Sequence, residues 1–256
     1  MKTIWCSDLH FDHCSKEVIT KFMIDLKRAE PETLLITGDI ATGGRAGNFL
    51  SVFGEQFPRT QIFYVLGNHD YWDLTFANPR PFYSRTVQWM NQSKPIYVGD
   101  KTYMIGVDGW YDCSLGNEQW QMLNDFNRIS DLKFAQKSEK LEIAIRQSEK
   151  FLKILKNQLK QLPPDCERIV VLTHVPPLQP FLRPIDGLSG FFWWKDLGTL
   201  LKTLQQEVVV LCGHTHDPYD LVEGNVRMIS QSAAYGSPGF REIKLNEMFG
   251  FDIIES

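Results

Sequence analysis

The chain has 256 residues, 43% of them hydrophobic and 23% charged, with a formal net charge of −4. That is the balance of an ordinary soluble globular protein, long enough for one sizeable α/β core. No long basic run is present, so a nucleic-acid surface is not suggested, and no apolar run reaches the length of a membrane span.

In chain order, TIWC (3–6) opens as a short apolar run and leads into S-D-L-H, which supplies Asp8 and His10. Val18, Ile19, Phe22, Met23 and Leu26 then recur at helical spacing. TLLIT (33–37) leads to G-D and Asp39, and IFYVL (62–66) leads to G-N-H-D with Asn68, His69 and Asp70. Ile96–Val98 and Thr102–Val107 flank Gly99-Asp100-Lys101 and predict an antiparallel hairpin. Phe134 to Leu162 predicts one long helix, with Leu141, Ile145, Leu152, Leu155, Leu159 and Leu162 as its apolar stripe and Pro163-Pro164 as its stop. RIVVLT (168–173) leads to His174, and VVVLC (208–212) leads to G-H-T-H with His214 and His216. Val226–Ser230, Glu242–Leu245 and Phe251–Ile254 predict a second sheet edge near the C-terminus. Without a low-complexity linker or repeat, residues 1–256 read as a single domain.

The five apolar runs are short, β-branched and apolar at consecutive positions, the pattern of strands covered on both faces. Ligands of open α/β folds bind at the carboxyl ends of such strands. Five of the six histidines follow these runs. Asp, Asn and His without cysteine make a mixed oxygen and nitrogen donor set, suited to zinc, iron, manganese or similar ions. The donors outnumber what one four-coordinate ion takes, which points to two divalent ions, as in phosphatases and nucleases. The five cysteines, Cys6, Cys14, Cys113, Cys166 and Cys212, are odd in number and form no C-x-x-C pair. They suggest neither a disulfide framework nor a cysteine zinc site, and a reducing cytoplasm is expected. No signal peptide is read before residue 10.

The ordered set D-x-H, G-D, G-N-H-D, H, G-H-x-H, spanning Asp8 to His216, resembles the calcineurin-like metallophosphoesterase superfamily. The resemblance implies an α/β fold, a four-layer α/β/β/α sandwich with two mixed β-sheets flanked by helices. It implies that Asp8, His10 and His216 hold one metal, that Asn68, His174 and His214 hold the other, and that Asp39 bridges them, with manganese favoured. A metal-bridging hydroxide would hydrolyse a small phosphomonoester or phosphodiester, with His69 as the general acid. A nuclease of the same superfamily and a non-catalytic scaffold are the alternatives. The sequence departs from the serine/threonine protein phosphatase branch, which carries G-D-x-V-D-R-G and G-N-H-E. Here the stretches are GDIATGG (38–44) and GNHD (67–70), with Thr42 and Gly43 in place of the branch's Asp and Arg. What orients His69 is therefore open, with Asp70 the adjacent candidate.

Other residues carry plainer expectations. His13 reads as a surface residue and Asp12 as a carboxylate at the start of the first helix. Ser7, Thr173 and Thr215 flank ligands and could support them by hydrogen bonds. The aromatic stretches 110–120 and 181–194 read first as loop packing, and second as substrate contacts through Phe191, Phe192, Trp193 and Trp194. On extended backbone His214 and His216 would share a face. Gly213 before them reads as room for a tight turn.

Overall fold

All five apolar runs form strands, because each has two hydrophobic surfaces to cover. The structure, a computed structural model, describes residues 2–114, 120–179 and 189–251. The first sheet takes β1 (Thr3–Cys6), β2 (Thr33–Thr37), β3 (Gln61–Val65) and β4 (Val87–Trp89), all parallel in that order. β11 (Arg241–Ile243) closes its edge antiparallel to β1. The second sheet runs β5-β6-β7-β8-β10-β9, built from β5 (Ile96–Gly99), β6 (Thr102–Gly106), β7 (Arg168–Leu172), β8 (Glu207–Cys212), β9 (Asp220–Glu223) and β10 (Val226–Ser230). Its four central strands are parallel, and β5 and β9 pair antiparallel at the edges.

Alternate residues of each strand serve different layers. Trp5, Leu35, Phe63 and Val65 from the first sheet share one buried cluster with Met104, Val170, Leu172, Val209, Leu211 and Ile229 from the second. Their neighbours Ile4, Cys6, Leu34, Ile36 and Ile62 join the other cluster, with Phe22 and Leu26 of α1 (Lys16–Ala29) and Leu50 and Phe53 of α2 (Arg45–Gln56). Ile105, Ile169, Val171, Val208 and Val210 do the same with residues of α5 (Lys140–Leu159) and α6 (Lys195–Lys202). Two mixed sheets with flanking helices result, the α/β/β/α sandwich. Two short helices, α3 (Asp125–Arg128) and α4 (Ser130–Lys133), precede α5.

Three expectations change. The long helix is shorter than 134–162. Phe134 is 79% exposed, and just before α5 begins the Gln136 N–H donates to the Glu139 carboxylate while the Glu139 N–H donates to the Gln136 carbonyl. At the other end α5 stops at Leu159, four residues before Pro163, whose ring would clash with a helical carbonyl at that position. Its buried stripe is Ala144, Gln147, Ser148, Phe151, Leu155 and Gln158; of the residues expected there, Leu155 is fully buried, and Leu141, Ile145, Leu152, Leu159 and Leu162 pack at the flanks. The C-terminal strands also part company. Val226–Ser230 lies inside the second sheet, parallel to β8, whereas Arg241–Ile243 edges the first. The strand expected at Phe251–Ile254 lies, after Phe251, outside the described residues.

Gln158 pins α5 to the sheet. Its Nε2 lies 2.7, 3.2 and 3.0 Å from the carbonyls of Met90, Ser93 and Gly106, and its Oε1 accepts from the Gly106 N–H at 3.0 Å. Gln158→Met keeps the length but takes the Gln158 partner from the buried Gly106 N–H and removes a donor from each of the three carbonyls, a cost of roughly 2–4 kcal/mol. A urea transition with a lower midpoint and unchanged slope is the expected result.

Candidate metal centre

The carboxyl ends of β1, β2, β3, β7 and β8 converge, and their loops are knitted by main-chain bonds. Asp8 N–H donates to the Gly38 carbonyl (3.0 Å), His10 N–H to that of Asp39 (2.9 Å) and Gly213 N–H to that of His174 (3.0 Å). Side chains join in: Asp39 Oδ1 accepts from the His69 N–H (2.9 Å) and Asp8 Oδ1 from the His214 N–H (3.0 Å). Five of the seven expected ligands, Asp8, His10, Asp39, His214 and His216, sit at positive φ between 41° and 74°. Each such residue costs roughly 1 kcal/mol relative to ordinary backbone, so the knitted loops hold them against a local preference.

The seven side chains come together in two clusters. In the first, His10 Nε2 lies 3.0 Å from His216 Nε2 and 3.6 Å from Asp39 Oδ2, and His216 Nε2 lies 3.5 Å from Asp8 Oδ1. Donor atoms of Asp8, His10, Asp39 and His216 all fall within 4.8 Å of one another. In the second, Asn68 Oδ1 lies 3.2 Å from His174 Nε2 and 3.1 Å from His214 Nδ1, while Asp39 Oδ1 lies 3.5 Å from His174 Nε2. Asp39 thus turns one oxygen to each cluster. The left-handed backbone at 214 and 216 replaces the extended one expected, and their imidazoles face different clusters.

Hydrogen bonds choose which ring nitrogen is free. His174 Nδ1 donates to the Thr37 carbonyl (2.8 Å) and His214 Nε2 to the Phe191 carbonyl (2.7 Å), since a carbonyl can only accept. That leaves His174 Nε2 and His214 Nδ1 toward the cluster. Burial pushes His214 and His10 down to about 4, so neither competes for a proton at neutral pH. The bare lone pairs of His214 Nδ1 and Asn68 Oδ1 then face each other at 3.1 Å. That contact is repulsive alone and favourable around a cation, so the donor set fits divalent metal ions. Asp39 is 2% exposed; burial would raise its pKa, but His174, His69 and His10 around it hold it well below the usual carboxylate range. Burial alone would lower His174, and the adjacent Asp39 more than reverses this, raising it to about 10.

Supporting residues divide into those the sequence suggested and those it did not. Ser7 Oγ donates to Asp8 Oδ2 at 2.6 Å as expected, while the hydroxyls of Thr173 and Thr215 are buried with no hydrogen-bond partner among the described residues. Asp70 does not orient His69. Its carboxylate is spent on the N–H groups of Ile40, Ala41 and Gly67, tying the β2 loop to the β3 loop. Thr42 Oγ1 turns away to Asp12 Oδ2 (2.5 Å), so Asp12 serves that loop as well as starting the helical region. His13 is exposed, as expected. Gly213 is needed for space more than for a turn: a Cβ there would overlap Ser7 Oγ and Asp8 Oδ2.

Asp125 carried no sequence signal, and it accepts from Asn68 Nδ2 (3.0 Å), Trp72 Nε1 (2.7 Å) and Tyr111 OH (3.1 Å). The first bond aims Asn68 Oδ1 into the second cluster. Tyr235 was also missed; its ring is 4.4 Å from that of His10 and 5.1 Å from that of His216, over the first cluster. A cleft of about 360 Å³ opens onto Asp39, Asn68, His69, His214 and His216, rimmed by Trp72, Met122, Phe192 and Tyr235. In the aromatic stretches Trp110, Tyr111, Phe191 and Trp194 are buried as packing, and Phe191 and Phe192 also line the cleft. Residues 115–119 and 181–188 of those stretches lie outside the described residues.

Fold and donor set together define an α/β protein suited to hold divalent cations at its strand ends. The calcineurin-like phosphoesterase profile matches residues 1–218, and the chain belongs to this family. No curated protein matches the chain. Among solved structures, the fold is similar to a phosphopantetheinyl hydrolase from Mycobacterium tuberculosis, with a TM-score of 0.65 at 17% identity over 98% of each chain. It is also similar to a dimetal phosphatase from Danio rerio, with a TM-score of 0.52 at 16% identity over 91% of this chain and 87% of that one.

Two outcomes follow. Gly213→Ala should weaken metal binding by about tenfold or more, as perturbed ligand supports do. Gly239→Ala, where nothing lies within 4 Å of an added methyl, should leave it unchanged, both read by equilibrium metal titration. Because His174 holds a proton up to about pH 10 without metal, loading at pH 8 should release about one proton from it. Calorimetry in two buffers of different ionisation enthalpy measures the release, and the His174 share of it should disappear as pH rises past 10.

Proposed function

We propose that this protein is a dinuclear-metal phosphoesterase that hydrolyses a small phosphomonoester or phosphodiester. The observation that carries the reading is Asp39, whose two oxygens face separate donor clusters, 3.6 Å from His10 Nε2 and 3.5 Å from His174 Nε2. Asp8, His10 and His216 would hold one ion and Asn68, His174 and His214 the other, with Asp39 shared. When bound, such a pair lowers the pKa of coordinated water and offsets charge developing on phosphoryl oxygens. The chain itself supplies the shape and the proton. His69 lines the cleft with its Nε2 3.9 Å from Asp39 Oδ2, beside the shared carboxylate, where it can protonate a departing ester oxygen.

A cleft of about 360 Å³ supports a small substrate over a folded macromolecule. The donor set, free of thiolate, supports manganese or a similar ion. Five free cysteines support a reducing compartment, the cytoplasm in our reading. Among the described residues, no helix is long and apolar enough to cross a membrane.

Protein loaded with Mn²⁺ should bind two equivalents and cleave p-nitrophenyl phosphate or bis-p-nitrophenyl phosphate. Asp39→Asn should lower kcat by roughly a hundredfold or more, since it removes the charge shared by both clusters. Intact esters across Mn²⁺, Co²⁺, Ni²⁺ and Zn²⁺ would overturn the enzyme reading. Binding of fewer than two equivalents would favour a non-catalytic scaffold.

A further inference from the structure

Among the described residues no carboxylate bonds His69 Nδ1, and the nearest one to its Nε2 that the structure shows is Asp39 Oδ2 at 3.9 Å, beyond hydrogen-bond reach. The His69 Nδ1 is buried and, among the described residues, has no hydrogen-bond partner. Asp70, Thr42 and Asp12, the polar groups nearest in sequence or across the loop, are each committed elsewhere. What His69 does have is a flat ring against it. The imidazole stacks on Trp72 with centroids 3.6 Å apart and planes 26° apart.

The stack follows from the local backbone. Residues His69–Tyr71 form a 3₁₀ turn, with the Tyr71 N–H bonded to the Asn68 carbonyl and the Trp72 N–H to the His69 carbonyl. In a 3₁₀ turn side chains three residues apart eclipse each other, so H-x-x-W lays the indole over the imidazole. The indole is itself fixed. Its Nε1 donates to Asp125 Oδ1 at 2.7 Å, and the Arg128 guanidinium carbon stands over the ring, 4.6 Å from the centroid. Arg128 is in turn paired with Asp73. Trp72 is 6% exposed, so little room is left for the ring to turn.

We infer that Trp72 is the positioning residue for His69, holding by stacking the imidazole that other arrangements hold by a hydrogen bond. Asp125 then serves two ends of the reaction through one carboxylate: it aims Asn68 Oδ1 at the second cluster and, through Trp72, aims His69 at the leaving group. The inference rests on the phosphoesterase reading above and on His69 as proton donor.

General acids matter most for leaving groups that depart poorly without a proton. The test is therefore the ratio of kcat on an alkyl phosphoester to kcat on the matching p-nitrophenyl ester. It is measured for wild type, His69→Asn, Trp72→Leu, Trp72→Phe and Trp72→Met, each with metal content determined. General acids supply about 10²–10⁴-fold, so Trp72→Leu should lower the ratio by about tenfold or more, in the same direction as His69→Asn. Trp72→Met, which keeps bulk without a flat ring, should do likewise and covers the case in which Trp72→Leu fails to fold. Trp72→Phe, which can still stack, should restore the ratio to within about threefold of wild type. Equal losses on both esters, leaving the ratio at its wild-type value in Trp72→Leu or Trp72→Met, would overturn the inference alone. A metal-loaded wild type that cleaves neither ester would bring down the phosphoesterase reading and this inference with it.

Discussion

A buried carboxylate ringed by imidazoles is the constraint on which the rest depends. Asp39 is 2% exposed, with His10, His69 and His174 around it. An isolated ionised carboxylate in such a place costs several kcal/mol. It stays charged because positive or polarisable partners converge on it from three other strand ends. Four further carboxylates are buried close to this centre, and each is satisfied by donors. Asp8 has Ser7 Oγ and the His214 N–H, Asp70 has three main-chain N–H groups and Asp125 has Asn68, Trp72 and Tyr111. Asp108 accepts from the Leu66 N–H, Tyr71 OH, Trp89 Nε1 and Asn91 Nδ2, though burial still lifts its pKa to about 6. Asp8, Asp39 and the imidazoles form the ring of donors that fits divalent cations, and Asp70, Asp108 and Asp125 brace the segments around it.

Holding that ring together requires backbone that the ligands would not choose. Left-handed φ at Asp8, His10, Asp39, His214 and His216 turns each side chain inward directly after an extended strand. Two parallel sheet segments deliver the strand ends to one place, and bonds between the loops keep the strained residues there. Glycines complete the fit where a methyl would collide with a ligand. At Gly67 an added Cβ would overlap Asp39 Oδ1 and stand 2.6 Å from the Asp39 nitrogen. Scaffold strength and site geometry are thus one problem: the apolar strands supply the stability against which the site is strained.

Much of this was legible in the chain. Five runs of consecutive apolar residues mark strands with two covered faces, and chemistry-bearing residues follow every one of them. The order of those blocks named the family that the profile match shows. Illegible features share a physical cause, which is that they depend on contacts between segments distant in sequence. The stripe on α5 differs from the apolar spacing because its buried face holds Gln147, Ser148 and Gln158, with Ser148 bonded to the Ile145 carbonyl and Gln158 to carbonyls outside the helix. The place of Val226–Ser230 inside the second sheet is not legible because its parallel pairing to β8 leaves no local mark.

The sequence by itself determined the strands, the donor types and their order, since those follow from periodicity and chemistry within short windows. Tertiary structure alone decided which oxygen of Asp39 faces which cluster and which nitrogen of His174 and of His214 is free. It also decided that Asp70 braces loops while Trp72 faces His69. These choices turn on directions, and directions are set by left-handed turns, a 3₁₀ step and hydrogen bonds across the fold, such as Thr37 to His174 and Asp125 to Asn68.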